Sequence, residues 1–384
     1  MSASSFLRLG IAGSIALLVG GCELGPKFTE QTGYRGTGGD QVTARRRLVA
    51  QPVPPPPFEL PADGGPTAGA TYQNVQVLNG ISAERFNYLM AAMNNWIAPT
   101  TGDPNVVGCN YCHNPNNMAS DEKYTKVVAR RMLQMTLNIN SQWASHVKGT
   151  GVTCYTCHRG NVVPRYSWAQ ALAGSGRLTG NKHGQNTPDP AVAYASLPYD
   201  PFSAYLGAPG NIRVQDSHAL ADRKQGPSIQ QTEATYGLMM HMSSSLNVNC
   251  TYCHNSQSWQ NWSESRPQRV QAWYGIRMVR NVNADYIAPL ASVFPAYRKG
   301  PAGDPYKVNC TTCHQGLNKP LGGVSMLGDY PFLRGSPATA PVAAPAAASP
   351  PAPSAAAAAT GLSGKAADEA HDGQAPAKAA APAK

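Results

Sequence analysis

The stretch Gly151-Val-Thr-Cys154-Tyr-Thr-Cys157-His158-Arg-Gly160 holds two cysteines that are separated by two residues and followed at once by histidine. This Cys-x-x-Cys-His pattern occurs four times, at Cys109-Asn-Tyr-Cys112-His113, Cys154-Tyr-Thr-Cys157-His158, Cys250-Thr-Tyr-Cys253-His254 and Cys310-Thr-Thr-Cys313-His314. It is the attachment signature of c-type haem, in which both sulfurs bind the porphyrin and the adjacent imidazole reaches the iron. The sequence therefore predicts four covalently bound haem c groups.

Three other chemistries use paired cysteines: zinc sites, disulfides and thioredoxin-like redox pairs. None of them requires a histidine directly after the second cysteine. The chain has nine histidines in 384 residues, or about 2% of positions, so histidine at all four places is very improbable by chance. Haem attachment is therefore the favoured interpretation.

The four motifs also alternate. The first and third read Cys-x-Tyr-Cys-His-Asn, whereas the second and fourth read Cys-x-Thr-Cys-His-x-Gly and have a proline four residues after the glycine, at Pro164 and Pro320. This internal repeat predicts duplicated two-haem units with pseudo-two-fold symmetry. We place the units at 76–165 and 228–336, with a connector at 166–227. The 37 glycines and 33 prolines indicate extensive loops and turns with sparse regular secondary structure. We expect a mainly α fold with long irregular segments.

The chain ends have different compositions. Residues 1–21 combine Arg8 with a short apolar run, as in a secretory signal peptide. Small residues precede Cys22, as in bacterial lipoproteins, so we expect a lipidated Cys22 that anchors the mature chain to the membrane; the alternative is an ordinary signal peptide. We expect an extended segment at 22–75 and a disordered Ala/Pro-rich tail at 337–384.

Composition excludes other classes of protein. The negative mean hydropathy of -0.32 excludes an integral bundle of membrane helices. The formal net charge of +10 is compatible with nucleic-acid binding, but an exported haem protein is not expected to have a nucleic-acid partner. Some arginines are instead expected to pair with haem propionates.

Each iron needs a sixth ligand, and methionine is the first candidate. Three helix-like segments carry Met-x-x-Met upstream of the first three motifs, with the pairs Met90 and Met93, Met132 and Met135, and Met239 and Met242. A spacing of three puts both methionines on one helical face. The first of each pair is favoured as the ligand, although methionine is also a common filler of core gaps.

The fourth motif breaks this pattern. A constant offset aligns the segment before motif two with that before motif four, matching Met135 to Met278 and Asn140 to Asn283. Met132 then aligns with Gly275, so the fourth iron either lacks a sixth ligand or takes one from elsewhere. The candidates outside the motifs are Met278, His146, His183, His218, His241 and His371. Of these, His146 lies inside a predicted haem-binding unit.

Four segments resemble the tetrahaem cytochrome subunit of purple-bacterial photosynthetic reaction centres. They are Gln31-Thr-Gly-Tyr-Arg-Gly36, Ala129-Arg-Arg-Met132-Leu-Gln-Met135-Thr, the motif-two stretch that ends at Gly160, and Trp273-Tyr-Gly-Ile-Arg-Met-Val-Arg280. The resemblance covers about 22–335. It implies His/Met ligation of the first three irons and His/His ligation of the fourth, with the pairs Met90 and His113, Met132 and His158, Met239 and His254, and His146 and His314.

The resemblance also implies a function. It implies an electron carrier rather than an enzyme, at the periplasmic face of the photosynthetic membrane and associated with the reaction-centre L and M subunits. Electrons would come from a soluble cytochrome c or high-potential iron-sulfur protein and go to the oxidised bacteriochlorophyll pair. Two other functions stay open: a multihaem reductase with one open iron, and a quinol-oxidising cytochrome with a membrane helix.

Overall fold

The computed structural model describes residues 25–48, 52–171, 189–212 and 229–335. The predicted signal peptide at 1–21, the candidate lipidation site Cys22 and the predicted tail at 337–384 lie outside the described residues. The histidines His183, His218 and His371 lie outside them as well. Within the described parts, no helix is both long and apolar enough to cross a membrane.

The described chain is mostly helical with long irregular segments, which confirms that part of the predicted fold class. The α-helices are α1 (Ala68–Thr71), α2 (Ala83–Ile97), α3 (Tyr124–Gln142), α4 (Ala144–Val147), α5 (Cys154–His158), α6 (Ile229–Leu246), α7 (Pro267–Asn281) and α8 (Cys310–His314). Shorter 3-10 or π turns lie at Arg45–Arg47, Gly108–Tyr111, Pro190–Val192, Ser203–Gly207, Cys250–Tyr252, Val282–Ile287, Ala288–Ser292, Ala296–Arg298, Pro320–Gly323 and Pro331–Arg334.

A two-stranded hairpin lies in the segment predicted to be extended. Strand β1 (Lys27–Thr32) pairs antiparallel with β2 (Gly39–Ala44). An added Cβ at Gly33, where φ is +86°, would lie 2.9 Å from the backbone of Gly38, so this turn needs glycine. The hairpin packs on motif three: the hydroxyl of Thr32 lies 2.8 Å from that of Thr251, and Gly39 N–H donates to the Thr251 hydroxyl at 2.9 Å.

Helix α2 shows how the sequence sets local structure. Ser82 caps it: the serine hydroxyl accepts a hydrogen bond from Arg85 N–H at 3.3 Å. This bond satisfies one of the first-turn amides that have no partner within the helix. Tyr88, Ala92 and Trp96, spaced by four residues, are all buried on the same helical face.

Two hydrophobic clusters form the interior, and each combines residues from both halves of the chain. In one, side chains of α2 pack with residues that follow motif four; its members include Tyr88, Leu89, Trp96, Leu321, Tyr330 and Leu333. In the other, residues of the connector between motifs two and three pack with α6 and α7; its members include Phe202, Leu206, Leu238, Ile276 and Val279. The segment that follows motif two and the segment that follows motif four therefore each pack on helices of the other half of the chain.

Candidate haem-binding sites

Motifs one and three share one local geometry. Each begins in a 3-10 turn, at Gly108–Tyr111 and Cys250–Tyr252. The histidine N–H of each motif donates to the carbonyl of its first cysteine at 3.0 Å, His113 to Cys109 and His254 to Cys250. The turn fixes both cysteines and the histidine relative to one another.

Motifs two and four share a different geometry. They form the short helices α5 and α8, and each is capped by a reciprocal pair of side chains: Thr153 with Thr156, and Asn309 with Thr312. Both helices end at a left-handed residue, which is followed by a glycine with φ near +80°. The glycine that motifs two and four share, two residues after the histidine, thus has a backbone conformation that favours glycine.

Two asparagine amides, the half-buried Asn140 and the buried Asn283, bind the backbone of the residue two positions before each of these helices. Asn140 accepts a hydrogen bond from Val152 N–H at 2.7 Å and donates to the Val152 carbonyl at 2.9 Å. Asn283 makes the same pair of bonds to Val308, at 2.9 and 3.0 Å. The offset that aligns the sequence repeat therefore pairs Asn140 with Asn283, which make equivalent backbone hydrogen bonds. The repeat offset matched these two asparagines, although no role in the fold was predicted for them.

The four motif histidines are oriented by backbone carbonyls. Their Nδ1 atoms lie 3.0 Å from Met118 O, 2.9 Å from Asn161 O, 3.4 Å from Trp259 O and 2.9 Å from Leu317 O, in motif order. A carbonyl can only accept, so Nδ1 carries the proton and Nε2 keeps its lone pair. Metal-binding histidines commonly have this second contact. Burial also lowers the pKa of His158 and His254, and that of His314 to about 4, which favours the neutral, ligating form.

The motif cysteines are mostly in surroundings that favour the neutral thiol. Burial raises the thiol pKa to about 11 in Cys112 and Cys253 and to about 12 in Cys154 and Cys310. Structural zinc sites bind thiolates, and no group of three or more potential metal ligands among His, Cys, Asp and Glu occurs in the described residues. The lack of such a group in the described residues does not favour the zinc interpretation.

The second cysteines of motifs two and four meet each other. Cys157 and Cys313 form a disulfide in this structure, with their Cα atoms 4.6 Å apart. A sulfur in a disulfide cannot also form a thioether, so haem attachment at both motifs requires these two cysteines as thiols. Their contact places the attachment points of motifs two and four side by side.

A cavity of about 640 Å³ joins motifs one and two. Its walls include the histidines of both motifs and all four methionines of the two upstream pairs, Met90, Met93, Met132 and Met135. The wall is mainly apolar, as expected around a porphyrin. Because both methionines of each pair line the cavity, the choice of the first as ligand stays a prediction.

The third methionine pair lies on α6. Met239 and Met242 are half-buried and pack against the cluster that contains Leu238. His241, between them, is buried in the core. Its Nδ1 lies 3.1 Å from Ala191 O and its Nε2 lies 3.2 Å from the Ser245 hydroxyl. Both ring nitrogens are therefore engaged, which does not favour His241 as an iron ligand.

The fourth site brings together residues from both halves of the chain. His146, on α4, has its ring centroid 6.2 Å from that of His314. Its Nδ1 lies 2.8 Å from the Gln271 carbonyl, so Nε2 is again the unprotonated nitrogen. A Cβ at Gly275 would lie only 2.7 Å from His146 Cε1. The imidazole thus occupies the space into which a side chain at position 275 would project.

The spacing of these two rings fits a shared metal. His146 and His314 would hold one iron through their unprotonated Nε2 atoms, which requires the two rings to lie close together. The observed separation is 6.2 Å. Met278, the alternative ligand, is buried within the hydrophobic cluster around Ile276 and Val279. The residues present therefore fit a His/His-ligated haem, although the ligation itself stays a prediction.

Comparison with known proteins gives one consistent result. A family model described as the photosynthetic reaction centre cytochrome C subunit matches residues 24–334. The chain is 48% identical over 341 residues to the photosynthetic reaction center cytochrome c subunit of Rubrivivax gelatinosus, covering 88% of this chain and 91% of that protein. It is 48% identical over 327 residues to that of Thermochromatium tepidum, with 84% and 78% covered. Identity to the Roseobacter denitrificans subunit is 38% over 322 residues, with 79% and 84% covered.

Proposed function

Because the chain belongs to the family of photosynthetic reaction centre cytochrome c subunits, we propose that it re-reduces the photo-oxidised bacteriochlorophyll pair held by the L and M subunits. Electrons would come from a soluble periplasmic carrier, a cytochrome c or a high-potential iron-sulfur protein, and pass through four covalent haem c groups. Each haem supplies one-electron chemistry at its iron. The observation that carries this proposal is the shared orientation of the four motif imidazoles, each with Nδ1 on a carbonyl and Nε2 free for iron.

Axial ligands would set unequal potentials. We assign Met90, Met132 and Met239 to the first three irons and His146 to the fourth. A thioether raises the reduction potential, whereas a second imidazole lowers it. Six ligands on every iron would leave no open face for a substrate, which favours an electron carrier over a reductase.

The contacts between motifs support a linear order of sites. Motifs one and two share a cavity, and motifs two and four meet at Cys157 and Cys313. Motif three and the helix before it contact motif four and the residues after it: the Ser245 hydroxyl of α6 lies 2.6 Å from that of Thr311, and Asn318 donates a 3.3 Å hydrogen bond to Tyr252. We infer the order one, two, four, three, with motifs one and three at the ends.

The N-terminal hairpin supports an assignment of the membrane end. It packs on motif three, and Lys27, its first residue, follows Cys22 by five positions. At no more than about 3.5 Å per residue, an acylated Cys22 would lie within about 17 Å of β1. A lipid anchor there would hold motif three close to the membrane surface. Motif one, at the other end of the row of sites, would then be accessible to the soluble donor.

We also propose the duplication and its pseudo-two-fold symmetry. The support is the alternation of turn and helix geometry in the motifs, the matched contacts of Asn140 and Asn283, and the exchange of trailing segments between the units. At the fourth site, the first unit would likewise contribute to the second, because His146 of the first unit would bind the iron of motif four.

Flash spectroscopy tests the function. In membranes that contain the photosystem, a flash should oxidise a c-type haem as the bacteriochlorophyll pair is re-reduced, and the isolated subunit should not turn over nitrite or hydroxylamine. Absence of flash-induced haem oxidation together with reductase turnover would replace this proposal with the enzyme alternative. A redox titration with EPR detection would report the ligand class of each iron in the same preparation.

A further inference from the structure

We infer that Lys126 raises the reduction potential of the haem at motif one by binding the backbone carbonyl that orients His113. The inference rests on the proposed haem attachment, and it adds a positioning residue that neither the motifs nor the proposed axial ligands include. The Nδ1 atom of His113 lies 3.0 Å from the Met118 carbonyl oxygen. The Lys126 ammonium donates a hydrogen bond to the same oxygen at 2.9 Å. One carbonyl therefore links this cation to the imidazole.

The Lys126 ammonium is held at this oxygen by several acceptors. It also donates to the carbonyls of Ala119 and Ser120, at 2.7 and 2.9 Å, so three consecutive carbonyls of the loop after motif one converge on it. An ammonium has three N–H donors, which matches these three acceptors. It lies 3.3 Å from a carboxylate oxygen of Asp121, and its side chain is only 11% exposed, so water competes little for the contacts.

The helix that carries Lys126 is fixed to motif one. Lys126 is the third residue of α3, and its neighbour Thr125 donates a 2.6 Å hydrogen bond to the Tyr111 carbonyl. The Lys123 ammonium, at the residue before the helix, donates to the Asn110 carbonyl. Both acceptors lie between the two cysteines of motif one. The start of α3 therefore keeps a defined position relative to the histidine of that motif.

A cation on the Met118 carbonyl weakens the hydrogen bond that His113 makes to it. The oxygen shares its lone-pair density with the ammonium, so it accepts less strongly from the Nδ1 proton. A strong second contact makes a ligating imidazole more basic, and a weaker one makes it a poorer electron donor, which favours ferrous iron. The positive charge acts in the same direction, because it disfavours the extra charge of ferric iron. Both effects raise the potential.

Motif three provides an internal comparison. The offset that aligns α3 with α7 matches Lys126 to Arg269. The Arg269 guanidinium donates a 3.1 Å hydrogen bond to the Asn261 carbonyl, two residues beyond Trp259, whose carbonyl lies 3.4 Å from Nδ1 of His254. A cation at this helical position thus contacts the loop after its motif in both units. In the first unit it reaches the carbonyl that orients the histidine.

The test uses the full-length, membrane-bound subunit with the substitutions Lys126→Gln and Lys126→Arg. Glutamine keeps a donor but removes the charge, so we expect the ferrous-to-ferric ratio of the motif-one haem to fall about tenfold at fixed ambient potential, which is about 59 mV for a one-electron couple. Arginine keeps the charge and should recover most of this shift. A double variant with Cys109→Ser and Cys112→Ser lacks attachment at motif one, and the component missing from its redox titration identifies that haem.

Two further variants separate this contact from a general effect of charge. Arg130→Gln is the matched control, because it removes a cation that binds the same Asp121 carboxylate, at 2.8 and 3.0 Å. Among the described residues, Arg130 contacts that carboxylate and not the Met118 carbonyl, so its removal should shift the potential less than Lys126→Gln does. Asp121→Asn leaves the three carbonyls to Lys126 and removes the anion that partly neutralises it. This variant should raise the potential of the same haem.

Three results would overturn the inference: no fall in Lys126→Gln, an equal fall in Arg130→Gln, or a fall that Lys126→Arg does not recover, which would indicate loop packing rather than charge. Mass spectrometry counts the haems in each variant. If Lys126→Gln does not retain the motif-one haem, Asp121→Asn decides: a rise confined to that haem supports the inference, and an unchanged or lower potential contradicts it. Absence of flash-induced haem oxidation in the wild type would refute the proposed function but leave these shifts measurable, so the two failures are distinguishable.

Discussion

Replacing Gly275 with alanine should displace His146, the proposed sixth ligand of the fourth iron, although the His146 residue itself is unchanged. The new Cβ would lie 2.7 Å from Cε1 and 3.0 Å from Nδ1 of His146. Carbon atoms in contact prefer separations of about 3.5–4.0 Å, so the ring would have to retreat by roughly 1 Å. A metal–imidazole bond of about 2 Å cannot stretch by that amount, so His146 should leave the iron.

The cost to stability should be small by comparison. Alanine in a helix interior is about 1 kcal/mol more favourable than glycine. Overpacking a buried site typically costs about 1–3 kcal/mol. The two effects largely offset each other, which leaves a net loss of about 0–2 kcal/mol. The folded protein should therefore keep four haems while one of them changes its coordination.

EPR of the oxidised protein is the assay, because it distinguishes His/His from His/Met ligation. Gly275→Ala should abolish the His/His signal, and His146→Met should replace it with a His/Met signal and raise one potential by on the order of 0.1 V, within the roughly 0.8 V that axial ligands span. Met278→Leu, a near-isosteric change on the same helix, is the control and should leave the signal intact. An unchanged signal in Gly275→Ala, or its loss in Met278→Leu with His146→Leu unaffected, would refute the exchanged ligand.

Three further predictions concern the cofactor content, the anchor and the acid stability. The mature protein should retain four porphyrins after acid-acetone extraction, and a mass corresponding to three or fewer would contradict the motif count. Cys22→Ala should abolish N-terminal acylation and release the subunit or leave its signal attached; peptide mass analysis that finds no acyl group on wild-type Cys22 would rule out the lipid anchor. Hydrogen bonds from Arg130 hold the pKa of Asp121 at about 2, below its usual 3.8, so the stability from this pair should be complete above about pH 4 and lost as the pH falls towards 2. Asp121→Asn should flatten that part of the stability profile in denaturant titrations, and an unchanged profile would show that the pair contributes nothing.

The sequence predicted the local parts of this molecule well because their causes are local. The repeat offset paired Asn140 with Asn283, and these two asparagines make matching hydrogen bonds to Val152 and Val308. Such agreement follows from the dependence of motif geometry on turn and capping residues within a few positions.

Contacts between residues far apart in the chain could not be predicted from the sequence in the same way. The hydroxyl of Thr32 meets motif three across 219 positions, and no periodicity or spacing links the two. For the fourth ligand, six residues were candidates; the place of His146 inside a haem-binding unit favoured it, and the family resemblance implied the same residue.

The exchange of trailing segments has a consequence for how such a chain could arise. Residues that follow motif four cover α2, and residues that follow motif two cover α6 and α7. A half-length chain with one unit would expose these apolar faces, and two identical copies would cover them by swapping their ends. We therefore expect a half-length chain to associate into a homodimer, which sedimentation would detect. Under the proposed duplication, the present protein would correspond to such a dimer fused by a linker. In that view, the proposed bond from His146 of the first unit to the iron of motif four would derive from a contact between two subunits.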